Sequence, residues 1–157
     1  NLLQAIQLLA QQRDDFKEFI VGDGPLKAEL SLQLKTLKID SFVEFLGVRR
    51  DVKALMSATD IYAMSSAWEG LPMVILEAMA CERLIVATDC GGVSEAIGSN
   101  GFLVQPKNST LLAYSLSSAL SLSELDRTEI GAAARQRVVD RFSLDANVDS
   151  FLRLYAV

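Results

Sequence analysis

Histidine is missing from all 157 residues. That removes Ser-His-Asp and Cys-His catalysis and most zinc sites from consideration. A histidine general base, if one is used, has to come from outside this chain. Cysteine is nearly absent as well: Cys81 and Cys90 sit in apolar surroundings, with no metal-ligand spacing. A reduced, cytoplasmic setting is therefore expected. No apolar run approaches the ~20 residues of a membrane span, and no signal peptide is visible. There is no basic tract, and 15 Lys and Arg stand against 20 Asp and Glu for a net charge of −5, so nucleic acid is not an expected partner. Repeats and low-complexity linkers are absent too.

What is present reads as globular: 50% of residues are hydrophobic and 22% charged, enough for one domain over 1–157 with a real core. The periodicity predicts strands at 16–21, 42–45, 61–64, 84–88 and 102–104. It predicts helices at 1–12, 26–37, 52–58, from 72, and at 93–97, 109–122, 125–140 and 144–155. Asp51 and Ser143 are expected helix N-caps. Strand and helix alternate five times, which means an α/β fold: a Rossmann-like parallel sheet with right-handed crossovers and flanking helices. Ligands of such sheets bind beyond the carboxyl ends of the strands. Gly22, Gly47, Glu69 and Gly91 each follow a strand and should gather on one rim.

The chain is organised around residues 65–80, Ser-Ser-Ala-Trp-Glu-Gly-Leu-Pro-Met-Val-Ile-Leu-Glu-Ala-Met-Ala. Pro72 suits a first helical position. The helix that follows is apolar on nearly every side and should be buried, yet it carries Glu77, with Glu69 just before it. A buried carboxylate needs donors, and a hydroxyl-rich ligand would supply them. The N–H groups of the first turn favour an anion. Two carboxylates for hydroxyls and one helix N-terminus for phosphate describe a receptor for a sugar nucleotide. The competing reading has Glu69 capping the helix and Glu77 meeting a structural arginine; two glutamates eight positions apart leave that reading ahead when taken alone.

Other motifs keep two readings. Gly22 and Gly24 allow a backbone to approach phosphate or sugar closely, or make a tight strand–helix turn; Lys27 stands where a dinucleotide fingerprint needs its third glycine. Arg49 and Arg50 lie beside a base or diphosphate, or on a solvated loop. Trp68 stacks on a sugar or packs. Gly91-Gly92 with Glu95 forms the floor of a pocket or the turn before a helix, the structural role being preferred. Met64, Met73 and Met79 read as core, and Arg135, Arg137 and Arg141 as a solvated face.

Four motifs in order resemble one family along the whole chain. Glu69-x7-Glu77, within Ser-x-x-Glu-Gly-Leu-Pro-x-x-x-x-Glu-Ala-Met-Ala, is similar to the signature of the retaining GT-B glycosyltransferases of family 4, the glycosyl transferases group 1. Val21-Gly22-Asp23-Gly24-Pro25, Val43-Glu44-Phe45-Leu46-Gly47 and Gly91-Gly92-Val93-Ser94-Glu95 resemble the Gly-x-Gly turn, third strand and Gly-Gly-x-x-Glu turn of the C-terminal, donor-binding domain. The resemblance implies that Glu77 binds ribose hydroxyls and that Glu69 contacts the transferred sugar near the reacting carbon. It gives Gly70, Leu71, Pro72, Met73 and Val74 the diphosphate, places Gly22 and Gly24 near the donor, and leaves Arg49 and Glu95 as weaker candidates. The implied donor is a UDP-, GDP- or ADP-sugar, with no metal and no cofactor. The implied reaction is transfer to an acceptor hydroxyl with retention, in polysaccharide, lipopolysaccharide or glycolipid synthesis.

Two departures from the family pattern stand out. The chain starts inside the helix that follows the family's first strand, so that central strand, and a loop bearing an Arg and a Lys that grip the diphosphate, are not in the sequence. In the family order 3-2-1-4-5-6 the segments 16–21 and 61–64 lose their common neighbour; a strand from a second copy, or an altered pairing, is expected to fill the gap. Cys81-Glu82-Arg83-Leu84 also replaces a small, Gly-Pro-like turn. The resemblance further implies a missing N-terminal acceptor domain, a chain inactive by itself, and a parent enzyme on the cytoplasmic face of the inner membrane. The alternatives are a non-catalytic nucleotide-binding or interaction module on this fold, and a GT-B sugar-nucleotide epimerase, which should lack the Glu-x7-Glu spacing.

Overall fold

The computed structural model describes residues 1–155. Thirteen elements follow in order: α1 (Leu2–Ala10), β1 (Glu18–Val21), α2 (Lys27–Leu37), β2 (Val43–Gly47), α3 (Val52–Ala58), β3 (Ile61–Met64), α4 (Met73–Ala80), β4 (Leu84–Thr88), α5 (Val93–Ile97), β5 (Gly101–Val104), α6 (Ser109–Ser121), α7 (Glu124–Phe142) and α8 (Leu144–Tyr155). The alternation read from periodicity is thus present. No helix among the described residues is long and apolar enough to cross a membrane.

All strand pairings are parallel, but they form two sheets, β1-β2 and β3-β4-β5. Strand β4 is buried at all five positions, as a central parallel strand with helices on both faces must be. Its side chains alternate between two cores. Leu84 and Val86 join α1, α2 and α6 on one face; Ile85 and Ala87 join α3, α4, α5 and α7 on the other. Each such aliphatic side chain contributes ~1.5–3 kcal/mol by leaving water.

The expected loss of a common neighbour is what the structure has. The segments β1 and β3 lie in different sheets, and neither altered pairing nor direct contact of the two strands closes the sheet. A groove of about 680 Å³ runs between them, lined by Glu18 to Val21, Ile61 to Ala63 and side chains of α1, α3 and α6.

Glu18 lies in this groove with little water around its carboxyl group, and burial pushes its pKa from the ordinary 4.5 up to about 7. The folded state therefore holds this proton more tightly than the unfolded chain. The resulting stability is fully present below about pH 4.5 and is lost as pH rises through 7. Glu18→Gln is expected to remove that loss, making the variant more stable than the wild type at pH 8 by about 1–2 kcal/mol, a figure reduced for the water reaching a half-buried side chain. Urea midpoints of both proteins at pH 5 and pH 8 test this; parallel pH profiles would refute it.

Candidate functional site

The site is built on the loop between β3 and α4. Strand β3 ends at Met64, buried against α4. The next residues are pinned from β4 and the turn after it. Buried Thr88 donates its hydroxyl to the Ser66 carbonyl at 2.6 Å. The Gly92 N–H donates to the Gly70 carbonyl at 2.7 Å. Gly91, at φ +55°, lies so close to the Glu69–Gly70 peptide that a Cβ there would strike the Glu69 carbonyl oxygen. The Gly-Gly turn therefore has the preferred structural role, and its function is to hold the Glu69 loop. Thr88 was not among the sequence candidates: a threonine ending an apolar strand is unremarkable until its partner, 22 positions away, is known.

Glu69 is half-buried and accepts a hydrogen bond from the Ser66 hydroxyl at 2.8 Å. It does not cap the helix: no side chain caps α4. Pro72 is the N-cap rather than the first helical residue, with ψ at 111°, because the chain enters α4 in an extended conformation. The first turn is open: Met73 is 62% and Val74 40% exposed. Its leading N–H groups have no helical acceptor, as at any helix start.

Glu77 overturns one expectation. It is exposed, not buried. The helix buries Ile75, Leu76, Ala78 and Met79, while Met73, Val74 and Glu77 face solvent. Its apolar residues do not mean an apolar environment all round. The structural-arginine reading fails as well: neither Glu69 nor Glu77 has an ion pair among the described residues. Both carboxylates lie within electrostatic reach of Tyr62 on β3, whose hydroxyl pKa is pushed up to about 12 by burial first and then by Glu69, Glu77 and Glu18. Tyr62 marks the place where the two glutamates share a neighbourhood. Trp68 does not pack; it stands 82% exposed beside Glu69.

The other candidates fall elsewhere. Gly22, at φ +124°, has open space on its Cβ side, as does Gly24. The Gly22 N–H donates to the Gly47 carbonyl, joining the ends of β1 and β2, and Asp23 accepts from the Gly24 N–H and Lys27. Arg49 is held by both oxygens of Asp51 at 2.8 and 2.6 Å, so Asp51 spends its carboxylate there instead of capping α3. Glu95 is exposed and lines a separate polar groove with Asp140, Arg141, Asp149 and Arg153. The expected solvated arginines are partly structural: Arg137 donates to the Glu95 and Ala96 carbonyls and Arg135 to that of Ala80.

The family model of the glycosyl transferases group 1 matches residues 1–121. The chain belongs to that family. Among its relatives, the N-acetyl-alpha-D-glucosaminyl L-malate synthase of Bacillus anthracis is 33% identical over 143 residues, covering 90% of this chain and 37% of the relative. Solved structures of group 1 and other glycosyltransferases share the fold. HepE from Anabaena, in complex with UDP, is 31% identical with a TM-score of 0.85, over 98% of this chain and 44% of that one. The C-terminal domain of the group 1 protein LpcC from Francisella tularensis is 28% identical with a TM-score of 0.79, over 90% of this chain and 77% of that one. This group 1 chain spans 31–41% of the length of three of the curated relatives it matches.

Proposed function

We propose that this chain is the donor-binding domain of a retaining glycosyltransferase, which moves a sugar from a nucleotide diphosphate sugar to an acceptor hydroxyl in polysaccharide or glycolipid synthesis. One observation carries the reading: Glu69 and Glu77, both without ion-pair partners among the described residues, flank a solvent-open helix start that the Gly91-Gly92 turn holds in place. Glu77 takes the ribose hydroxyls, and Glu69 the hydroxyls of the transferred sugar near the reacting carbon. Main-chain N–H groups between Gly70 and Val74 take the diphosphate and stabilise charge on the leaving group, with no metal. Gly22 and Gly24 let the main chain come close to the donor. Support comes from the family match and from the likeness to HepE, crystallised with UDP, and to LpcC, crystallised as a C-terminal domain.

Transfer requires an acceptor-binding partner domain, so the 157 residues alone are expected to bind donor without turnover. The parent enzyme works in the cytoplasm, at the inner face of the membrane. The test is an NMR titration with UDP, GDP, ADP and NAD. One nucleoside diphosphate should shift amides from Gly70 to Glu77, and Glu77→Ala should weaken its binding at least ~10-fold, the loss of charge-assisted hydrogen bonds to two hydroxyls. Shifts that are the same for all four nucleotides, or untouched by the substitution, would refute the assignment.

A further inference from the structure

Glu69 is held through its neighbours as well as through its own backbone. Residues 65–72, between β3 and α4, are irregular, and the stretch from Ser66 to Gly70 is anchored at both ends. The Ser66 carbonyl accepts from the buried Thr88 hydroxyl at 2.6 Å and from the buried Cys90 thiol at 3.6 Å. The Gly70 carbonyl accepts from the Gly92 N–H. Between these anchors Ala67 and Trp68 are exposed, while the Glu69 side chain turns back: its Oε1 accepts from Ser66 Oγ at 2.8 Å. The hydroxyl that holds the carboxylate thus belongs to a residue tied to the end of the central strand β4 and the turn after it.

Ser-x-x-Glu is the spacing of a capping box, where the hydroxyl and the carboxylate each take a main-chain N–H of a helix start. No helix starts here, since α4 begins only at Met73. The two side chains meet each other instead. An ionised carboxylate offers about four acceptor sites on two equivalent oxygens, and the Ser66 hydrogen bond makes those oxygens unlike. Oε1 has a donor. Oε2 has none among the described residues, and it is not shut away from solvent, because no buried side-chain oxygen there lacks a partner. A hydrogen bond to an ionised group is of the stronger kind. Without it, a glutamate side chain spreads over staggered rotamers.

We infer that Ser66 is a positioning residue for the sugar end of the site: its hydroxyl holds Glu69 by Oε1 and leaves Oε2 as the oxygen offered to a hydroxyl of the transferred sugar. This role rests on the reading of Glu69 as the sugar contact. A merely structural Ser66 would move stability and every ligand alike. A positioning Ser66 moves the sugar contact more than the nucleotide, whose proposed contacts run from Gly70 to Glu77.

The experiment has one part without ligand and one with it. In the free chain, NMR couplings across the Glu69 χ1 angle should report a single rotamer. Ser66→Ala should average them, and Ser66→Thr, which keeps the hydroxyl, should restore them. Dissociation constants are then compared for UDP and UDP-glucose, or for GDP or ADP and its glucose ester where that base is the one that shifts Gly70 to Glu77. Each torsion released over three wells cuts the competent fraction to about a third, so Ser66→Ala should weaken the glucose ester relative to the diphosphate by ~3–10-fold over χ1 and χ2. Ser66→Thr should bring the ratio back, and Glu69→Ala should shift it by ~10-fold or more. Averaged couplings in the wild type, or one rotamer persisting in Ser66→Ala, would overturn the role. So would a ratio that Ser66→Ala leaves unmoved while Glu69→Ala moves it. A ratio that Glu69→Ala also leaves unmoved would refute Glu69 as the sugar contact and the specificity role of Ser66 with it; the couplings, read without ligand, would still report whether the two side chains are tied.

Discussion

Gly91→Ala is expected to lose nucleotide binding and fold stability together. Gly91 sits at φ +55°, a left-handed conformation that costs an L-residue about 1–2 kcal/mol. A Cβ built there strikes the Glu69 carbonyl oxygen and comes within 2.7 Å of the Gly70 oxygen. Both obstacles are main chain, so no side-chain rotation relieves them. The loop must move, which breaks the Gly92–Gly70 hydrogen bond and shifts Glu69 and the start of α4. A total loss of about 2–4 kcal/mol follows, or about 5–12 °C in melting temperature for a domain of this size. Binding of UDP or its cognate analogue should fall by at least ~100-fold, since displacement of the loop disturbs several contacts at once. For stability alone, Gly24→Ala is the matched control, because nothing lies within 4 Å of the added carbon. Calorimetry and the same titration check both; a Gly91→Ala protein that binds with wild-type affinity would show that the turn does not position the site.

Gly131→Ala should also destabilise, against helix propensity. Gly131 lies inside α7, where alanine ordinarily gains about 1 kcal/mol. Here the added carbon meets the Glu82 carbonyl oxygen and lies 2.8 Å from its carbonyl carbon. The Cys81-Glu82-Arg83 turn cannot retreat easily. Glu82 is held at φ +61°, and Arg83 ties the turn to the end of α3 by donating to the Cys81 and Thr59 carbonyls, both at 2.8 Å. Helix α7 must lift away from α4, opening the core around Ala134 and Met79. A net loss of about 2–4 kcal/mol is expected. Urea unfolding checks it, and a rise in the midpoint would mean that α7 slides without cost.

These two glycines show where reading a sequence stops. Local periodicity recovers β3, β4, α3, α5 and α8 end to end, because a face against a core imposes its spacing on the residues themselves. Strand β1 starts two positions later than expected since Phe16 stacks on Phe42, ring centroids 5.0 Å apart, ahead of the ladder. The loop that carries Glu69 is legible through its residues and its resemblance. The groups that immobilise it are not, because Gly91, Gly92 and Thr88 act across a fold that brings distant turns together. The exposure of Glu77 was equally hidden. Composition says that α4 is apolar but not which neighbours cover it, and Met73 and Val74 are left bare beside the carboxylate. The replacement of a Gly-Pro-like turn by Cys81-Glu82-Arg83 looked incidental in sequence; it is the surface on which α7 docks.

The division into two sheets also bears on how the molecule yields. Among the described residues no main-chain ladder joins the α1–β1–α2–β2 half to the rest; the halves cohere through a seam of aliphatic side chains, with Leu3, Ile6 and Leu9 of α1 set among Leu112, Leu116 and Ala119 of α6. A zipper of hydrogen bonds resists sliding register by register, whereas an oily seam peels. The first half is therefore the weaker cooperative unit, able to open while β3, β4 and β5 keep their order, and whatever strengthens the seam sets the stiffness of the whole domain.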